Sequence, residues 1–376
     1  MSVEFPASLT SIGRYAFDYC TALANVDLSS TSLTSIGDKA FSGCGALTNV
    51  DLSSTSLTSI GDEAFFRCGA LTNVKFPASL TSIGSSAFRN CKALANVDLS
   101  STSLTFIGSC AFSYCKALTN VNLSTSLTSI GYGAFILCDA LTSVDLSSTS
   151  LTSIGDEAFS GCGALTSVLF PASLTSIEDD IFSGCASLSV LTVDEENPVF
   201  TSRNNVLYSK DLDTLVCYPA GLDTVVVIPN MVRSVRVDAF PGKISAVYCQ
   251  PQMPPNAVNG LLQDMFSDKT LMNAVLYVPI GMKAVYMQVY PWRDFKNIEE
   301  TDFSTVGING VTAQSEPIVT VRDGKIVVEG ASTTGVIEVF SADGRCAYRG
   351  TGTVIEGLPK GAYVVRVGKF SQKLVL

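Results

Sequence analysis

A cysteine returns every 23 or 24 residues through the first half of the chain, at Cys20, Cys44, Cys68, Cys91, Cys115, Cys138, Cys162 and Cys185. Around each one lies a variation on residues 33–56, LTSIGDKAFSGCGALTNVDLSSTS. A fixed period of this size confines the chain to a solenoid, in which each coil buries its apolar face only against its neighbours. The apolar columns agree. Isoleucine recurs from Ile12 and Ile36 to Ile177, and five residues later phenylalanine recurs from Phe17 and Phe41 to Phe182. Leu23, Val26 and Leu28 and their equivalents then follow an L-x-x-V-x-L pattern, whose last three positions alternate as a half-buried strand does. Stacked coils lay such strands side by side at about 4.8 Å as one parallel sheet. The stretch GDKAFSGC, opened by glycine and holding an apolar pair, predicts a short helical or 3₁₀ turn on the opposite wall.

Coil length varies at one place, where SSTS after the Leu28-type position shortens to PAS or STS. Changes of length are tolerated where backbone is exposed and loosely packed, so this segment is expected at the outer corner of the coil. The chain contains no histidine, which removes Ser-His-Asp and Cys-His catalysis, imidazole metal ligands and histidine switching together. Its net charge is −10, from 34 acidic and 24 basic residues, with no basic run, so neither nucleic acid nor an anionic membrane surface is an expected partner. No apolar run reaches the roughly 20 residues of a membrane helix. Met1 is followed at once by the middle of a repeat, which leads us to expect an export signal and further N-terminal sequence ahead of it.

The cysteine column admits three readings. Zinc sites gather four ligands, usually from C-x-x-C pairs, which this chain lacks. Disulfides between stacked coils lie within reach, but side chains pointing the same way strain the torsion. Buried thiols acting as small hydrophobes are the simplest reading. The outward strand positions form the surface most open to recognition. One column holds Asn25, Asn49, Asn73, Asn96 and Asn120; its neighbour holds Asp27, Asp51, Lys75, Asp98, Asn122 and Asp145. Such a polar strip can hydrogen-bond a protein or glycan, with calcium at paired aspartates as a variant, or it is a solvated face steadied by asparagine ladders. Lys75 and Asn122 interrupt what would otherwise be a repelling acidic row. A threonine ladder, Thr34 to Thr175, reads as exposed β-surface rather than an ice-binding array.

The pattern L-x-x-V-x-L-x-x-T-x-L-x-x-I-G-x-x-A-F-x-x-C resembles the BspA-like leucine-rich repeat of bacterial surface proteins. The resemblance implies strands on a concave face, cysteine inside, and adhesion to host matrix or mucosal proteins or to other cells. Residues 194–300 resemble diverged coils and a closing segment of that family, with Ala239-Phe240 keeping the AF pair and an amphipathic helix carrying Trp292 as the cap. A linker is expected over 301–316. Residues 317–376 alternate in short runs separated by glycine turns, as in a small β-sandwich, and GLPKGAYVV resembles C-terminal sorting-type modules of exported Bacteroidetes proteins. The expected fold is therefore an α/β leucine-rich-repeat solenoid, regular over 1–193, followed by a small all-β module. The expected function is a non-enzymatic, exported cell-surface interaction protein without cofactor or metal. A glycan-binding component, using exposed aromatics such as Tyr208, Tyr218 or Tyr248, an enzyme sited in 194–300 and a structural spacer are the alternatives.

Overall fold

The computed structural model describes residues 2–258, 265–304, 318–322, 325–329, 337–341, 345–350, 354–367 and 370–375. The chain forms two compact units, Met1–Gly310 and Val311–Leu376. Each regular coil of the first unit contributes a three-residue strand, such as Asn25–Asp27, and a two-residue strand, such as Ser35–Ile36. The former pair in parallel and in register, Val26 beside Val50 and Val50 beside Val74. The latter form a single eight-stranded parallel sheet from Ser11–Ile12 to Ser176–Ile177. Period-two alternation turns Val26 and Ile36 inward and Asn25 and Asp27 outward. The solenoid is the one that the repeat predicts, but the longer strands, expected as one sheet, fall into three: Ser2–Glu4 to Asn73–Lys75, Asn96–Asp98 with Asn120–Asn122, and Ser143–Asp145 to Val190–Val193.

The phenylalanine column fills the core as a continuous stack. Rings from Phe17 to Phe159 lie 5.1–5.5 Å apart and within 8° of parallel. From Phe159 to Phe182 the step widens to 6.1 Å and 19°. A glycine column accounts for the tight steps: a Cβ on Gly108 would lie 2.5 Å from the carbonyl carbon of Gly84. In the last regular coil Glu178 stands at that position, and the stack loosens there.

The turn wall is not helical. Lys39, Glu63, Ser86, Cys110 and Glu157 all have φ between 54° and 56°, which aborts a helix after one turn. The left-handed Lys39 donates its amide to Asp62 O of the next coil at 2.9 Å, and Phe41, two residues on, donates to Ala64 O at 2.8 Å. Amides between them bond within the coil, as Ala40 N does to Gly37 O. Backbone strain of about 1–2 kcal/mol per non-glycine residue is thus offset by bonds that tie coil to coil.

The thiols do more than fill space. Cys44, Cys68, Cys91, Cys115, Cys138, Cys162 and Cys185 each donate to the carbonyl of the phenylalanine in the preceding coil, at 3.1–3.3 Å. All are free and buried. Burial pushes the Cys44 thiol up to about 11 and the Cys115 thiol to about 12. Iodoacetamide at neutral pH is expected to label Cys20 and Cys346 readily and Cys110 slowly, because these alone are exposed or half-buried. The other thiols should react only after denaturation, which mass spectrometry of the labelled chain would read; native labelling at Cys115 would contradict this packing.

Past Val193 the coils lengthen. Phe200–Arg203, Val206–Ser209 and Thr214–Cys217 form antiparallel neighbours before parallel pairing resumes with Ser234–Arg236. Asn197, fully buried, staples this departure: Nδ2 donates to Pro171 O and Leu174 O, and Oδ1 accepts from Val199 N and Phe200 N. The segment expected to be one amphipathic helix is a strand, Val275–Pro279, a single helical turn, Lys283–Tyr286, a 3₁₀ turn, Trp292–Asp294, and a strand, Asn297–Thr301. The strand takes the β-branched residues, and Gly281 at φ +81° and Pro291 leave room for only one turn between. Trp292 is buried, its Nε1 donating to Pro255 O at 2.8 Å.

In the second unit antiparallel sheets join Ile318–Arg322, Lys325–Glu329 and Val354–Ile355, and Cys346–Gly350, Ile337–Ser341, Ala362–Val367 and Phe370–Val375. Buried Ile326, Val328 and Ile355 of one sheet cluster with Ile337, Val339 and Val365 of the other. The expected linker lies, over 305–316, outside the described residues, as do parts of the DGK and ADGR turns.

Candidate functional site

The predicted surface residues fall on successive strands and in register: Asn25, Asn49 and Asn73 align, as do Asp27, Asp51 and Lys75. Asn96 and Asp98 align with Asn120 and Asn122, and Asp145 lies beside Leu169. The two columns nevertheless do different work.

Each aspartate is occupied by its own corner. Asp27 Oδ1 accepts from Ser29 N at 3.0 Å and Ser29 Oγ at 2.7 Å. Asp51 with Ser53, Asp98 with Ser100 and Asp145 with Ser147 repeat the arrangement. These are Asx turns. They occur in the coils with the long SSTS corner, and where the corner shortens the aspartate is replaced by Glu4, Lys75, Asn122 or Leu169. Loss of the aspartate thus follows loop length, and at three of these four coils it interrupts the acidic row. Lys75 Nζ also reaches Asp51 Oδ2 at 2.8 Å; that contact and the Ser53 hydroxyl hold the Asp51 carboxyl down at about 2. The corner is also less loose than its variable length suggests: Thr31, Thr55, Thr102 and Thr149 are buried in the long form, each hydroxyl donating to the leucine carbonyl three residues back at 2.7 Å.

The asparagines are different. No ladder of amide bonds runs between them. Asn49 Nδ2 donates within its own coil to Thr48 Oγ1 at 3.1 Å, and Asn120 Nδ2 to Asn122 Oδ1 at 3.3 Å. Asn25, Asn73 and Asn96 are exposed, and no side-chain partner is found for them among the described residues. The ladders belong to threonine. Thr34, Thr81, Thr105, Thr128, Thr152 and Thr175 each donate to the equivalent carbonyl of the preceding coil, and Thr72, Thr119, Thr142 and Thr166 do likewise beside the asparagines. Their hydroxyl protons are committed to the fold, which leaves the ice-binding array without its donors.

Beyond the regular coils, Tyr208 and Tyr218 are buried rather than exposed, Tyr218 hydroxyl donating to Val225 O at 3.0 Å. Tyr248 is half-buried and stacks on Tyr277 of the next strand at 4.4 Å. Among the described residues no three His, Cys, Asp or Glu side chains gather as a metal set, and no helix is long and apolar enough to cross a membrane.

The residues that sequence reasoning missed lie at the end of the regular stack. In each coil the isoleucine carbonyl accepts from the next coil's glycine-type amide, as Ile154 O does from Glu178 N. Ile177 O has no such amide and accepts instead from Arg236 Nη1 at 2.7 Å. The left-handed Asp180, whose amide would seek the next coil's carbonyl, donates to Asp238 Oδ2 at 2.9 Å. Arg236 and Asp238 pair at 2.9 Å with side chains 6% and 7% exposed. One buried ion pair thus imitates the backbone of the coil that is not there.

The sequence matches the profile of the BspA type Leucine rich repeat region, in six copies, over residues 1–103 and 93–211. No curated protein matches it significantly. Among solved structures, a leucine rich cell surface protein from Faecalibacterium prausnitzii is similar at 22% identity and a TM-score of 0.51, covering 80% of this chain and 88% of that one. A leucine-rich repeat protein from Bacteroides ovatus is similar at 20% identity and a TM-score of 0.55, covering 80% and 77% respectively. At such identities the likeness is one of fold.

Proposed function

The chain belongs to the BspA-type leucine-rich-repeat family, and from that premise we propose that it is a non-enzymatic, exported surface protein that binds host or bacterial surface proteins through its solenoid. The observation that carries this reading is the set of exposed asparagine amides with open hydrogen-bonding capacity at Asn25 and Asn73, aligned through Asn49, and at the equivalent position Asn96 of the next coil. A rigid row of donors and acceptors suits many weak contacts over a long strip better than one deep pocket. The family match points to no catalytic activity, and the description of the F. prausnitzii protein as a cell surface protein supports the location.

The test is a binding panel of extracellular-matrix proteins and bacterial cells, run with the full chain. A variant carrying Asn25→Ala, Asn73→Ala and Asn96→Ala should lose at least about tenfold in affinity with circular dichroism unchanged. Asp98→Asn, which keeps an Asx acceptor for Ser100, should bind as the parent does. Asp98→Ala should instead cost about 1 kcal/mol of stability. Unaltered binding in the asparagine variant would remove the strand face from the reading. A second reading, glycan binding, is favoured by the half-buried Tyr248–Tyr277 pair; binding to glycans alone, lost in Tyr248→Ala, would replace the first.

A further inference from the structure

Repeat symmetry is nearly perfect on the strand face but breaks on the turn wall. The two wall positions held by Phe66 and Arg67 are filled in the next three coils by Arg89 and Asn90, Ser113 and Tyr114, and Ile136 and Leu137. Backbone bonds keep these coils in step, Arg67 N donating to Arg89 O at 2.9 Å, Asn90 N to Ser113 O at 2.9 Å and Tyr114 N to Ile136 O at 2.8 Å. Apart from Ser113, which is buried, the side chains are half-buried or exposed and form one patch about 15 Å long. Its guanidinium groups are held over rings, Arg67 at 5.0 Å from the centre of Phe66 and Arg89 at 5.7 Å from that of Tyr114. Neither has a carboxylate within ion-pair distance among the described residues, and Arg89 Nε and Ser113 Oγ are buried without a hydrogen-bond partner.

Charge along the wall is arranged to match. Just before this patch in the coil, Asp62 and Glu63 occupy two positions that are acidic again at Asp156 and Glu157. The three coils between carry Ser85-Ser86, Ser109-Cys110 and Tyr132-Gly133 there. Carboxylates are thus absent from these two positions in the coil of Arg89 and the two after it, while the coil of Arg67 keeps Asp62 and Glu63, and Asp139, two residues past Leu137, is paired with Lys116. An acidic partner meets less repulsion over these three coils than beside Asp62-Glu63 or Asp156-Glu157.

The geometry points to a docking site for an acidic segment of a partner protein, whose carboxylates meet Arg67 and Arg89 while an apolar side chain covers Tyr114, Ile136 and Leu137. Wall amides already bond neighbouring coils, so the segment is read by side chains and not by strand addition. A sulfated polysaccharide would use the cations but leave Ile136 and Leu137 uncovered, which favours a polypeptide.

This inference rests on the protein-interaction reading above. Its test uses the full chain and a fluorescent peptide of repeating Glu-Leu-Glu-Phe, with the Lys-Leu-Lys-Phe peptide and a heparin oligosaccharide as competitors in class. The acidic peptide should bind, more weakly as salt rises, and lose at least about tenfold in affinity in Arg67→Glu/Arg89→Glu and in Ile136→Ser/Leu137→Ser. The asparagine variant of the strand face should bind it normally. Equal binding of the lysine peptide, or retention in both wall variants, would overturn the site. Heparin binding lost only in the arginine variant would overturn the polypeptide in favour of an anionic glycan. If the peptide fails while strand-face-dependent panel binding persists, this inference alone falls; if both fail, the interaction reading falls with it.

Discussion

Replacing Arg236 with alanine is expected to lower the free energy of unfolding by about 3–5 kcal/mol, the usual consequence of stripping one partner from a buried ion pair. The guanidinium satisfies Ile177 O, Glu178 O, Asp179 and Asp238 at once, at 2.7–2.9 Å. Its loss leaves two backbone carbonyls without a donor and the buried Asp238 carboxylate without a counter-charge, held only by the amide of Asp180. Most buried ion pairs can be exchanged for apolar pairs at little cost. This one cannot be, because Arg236 and Asp238 also stand in for main-chain groups, so Arg236→Met/Asp238→Leu should recover almost nothing. Trp292, the only tryptophan and fully buried in the coils that follow, gives the fluorescence signal for urea unfolding. A loss below about 1 kcal/mol would mean that water replaces the side chain and that the junction is not sealed.

The second large effect is alkaline collapse. The buried thiols titrate above their unfolded value of about 8.5, so their contribution is complete below that pH and is lost as pH rises toward the folded values. At pH 9.5 each thiol that ionises only on unfolding costs about 1.4 kcal/mol of stability. Nine are buried, Cys217 and Cys249 included, and the sum is on the order of 10 kcal/mol, comparable to the whole stability of an ordinary domain. Circular dichroism should therefore show a steep loss of β-structure between about pH 9 and 10, before tyrosine ionisation begins in earnest. Replacing Cys91, Cys115 and Cys138 with alanine should move that midpoint upward even while lowering stability at pH 7. A midpoint unchanged in the variant would locate the alkaline transition elsewhere.

The regular core was legible because its columns are physical neighbours at a fixed period: Ile36, Phe41, Cys44 and Leu47 recur where a stacked coil must be apolar. What lay beyond reading was conformation not encoded by residue type. Lys39, Glu63 and Ser86 share a left-handed φ that none of them announces, so sequence alone predicts a short helical or 3₁₀ turn there. Sequence holds one clue to the aspartates, since they vanish wherever the corner shortens, at Glu4, Lys75, Asn122 and Leu169. Asp27 and Asp51 were singled out for exposure, when their lone pairs are turned inward to the corner. Asn25, Asn73 and Asn96 share that exposure but have no side-chain partner among the described residues. Tyr208 and Tyr218 misled because irregular coils lack the repeat that tells inside from outside, and Arg236 was invisible for the same reason.

The seven ring-stacked interfaces from Phe17 to Phe182 carry a consequence for how such a gene can change. Because one coil presents to the next nearly the surface it receives, unequal crossing-over that copies or deletes a whole 23- or 24-residue block recreates an existing junction rather than making a new one. Such an array is free to drift in length, coil by coil, without passing through an unfoldable intermediate. That freedom ends at Ile177, where Arg236 recognises a terminal edge and nothing else. A block inserted past that point would find its seat taken, so heritable variation in reach is confined to the stretch ahead of it.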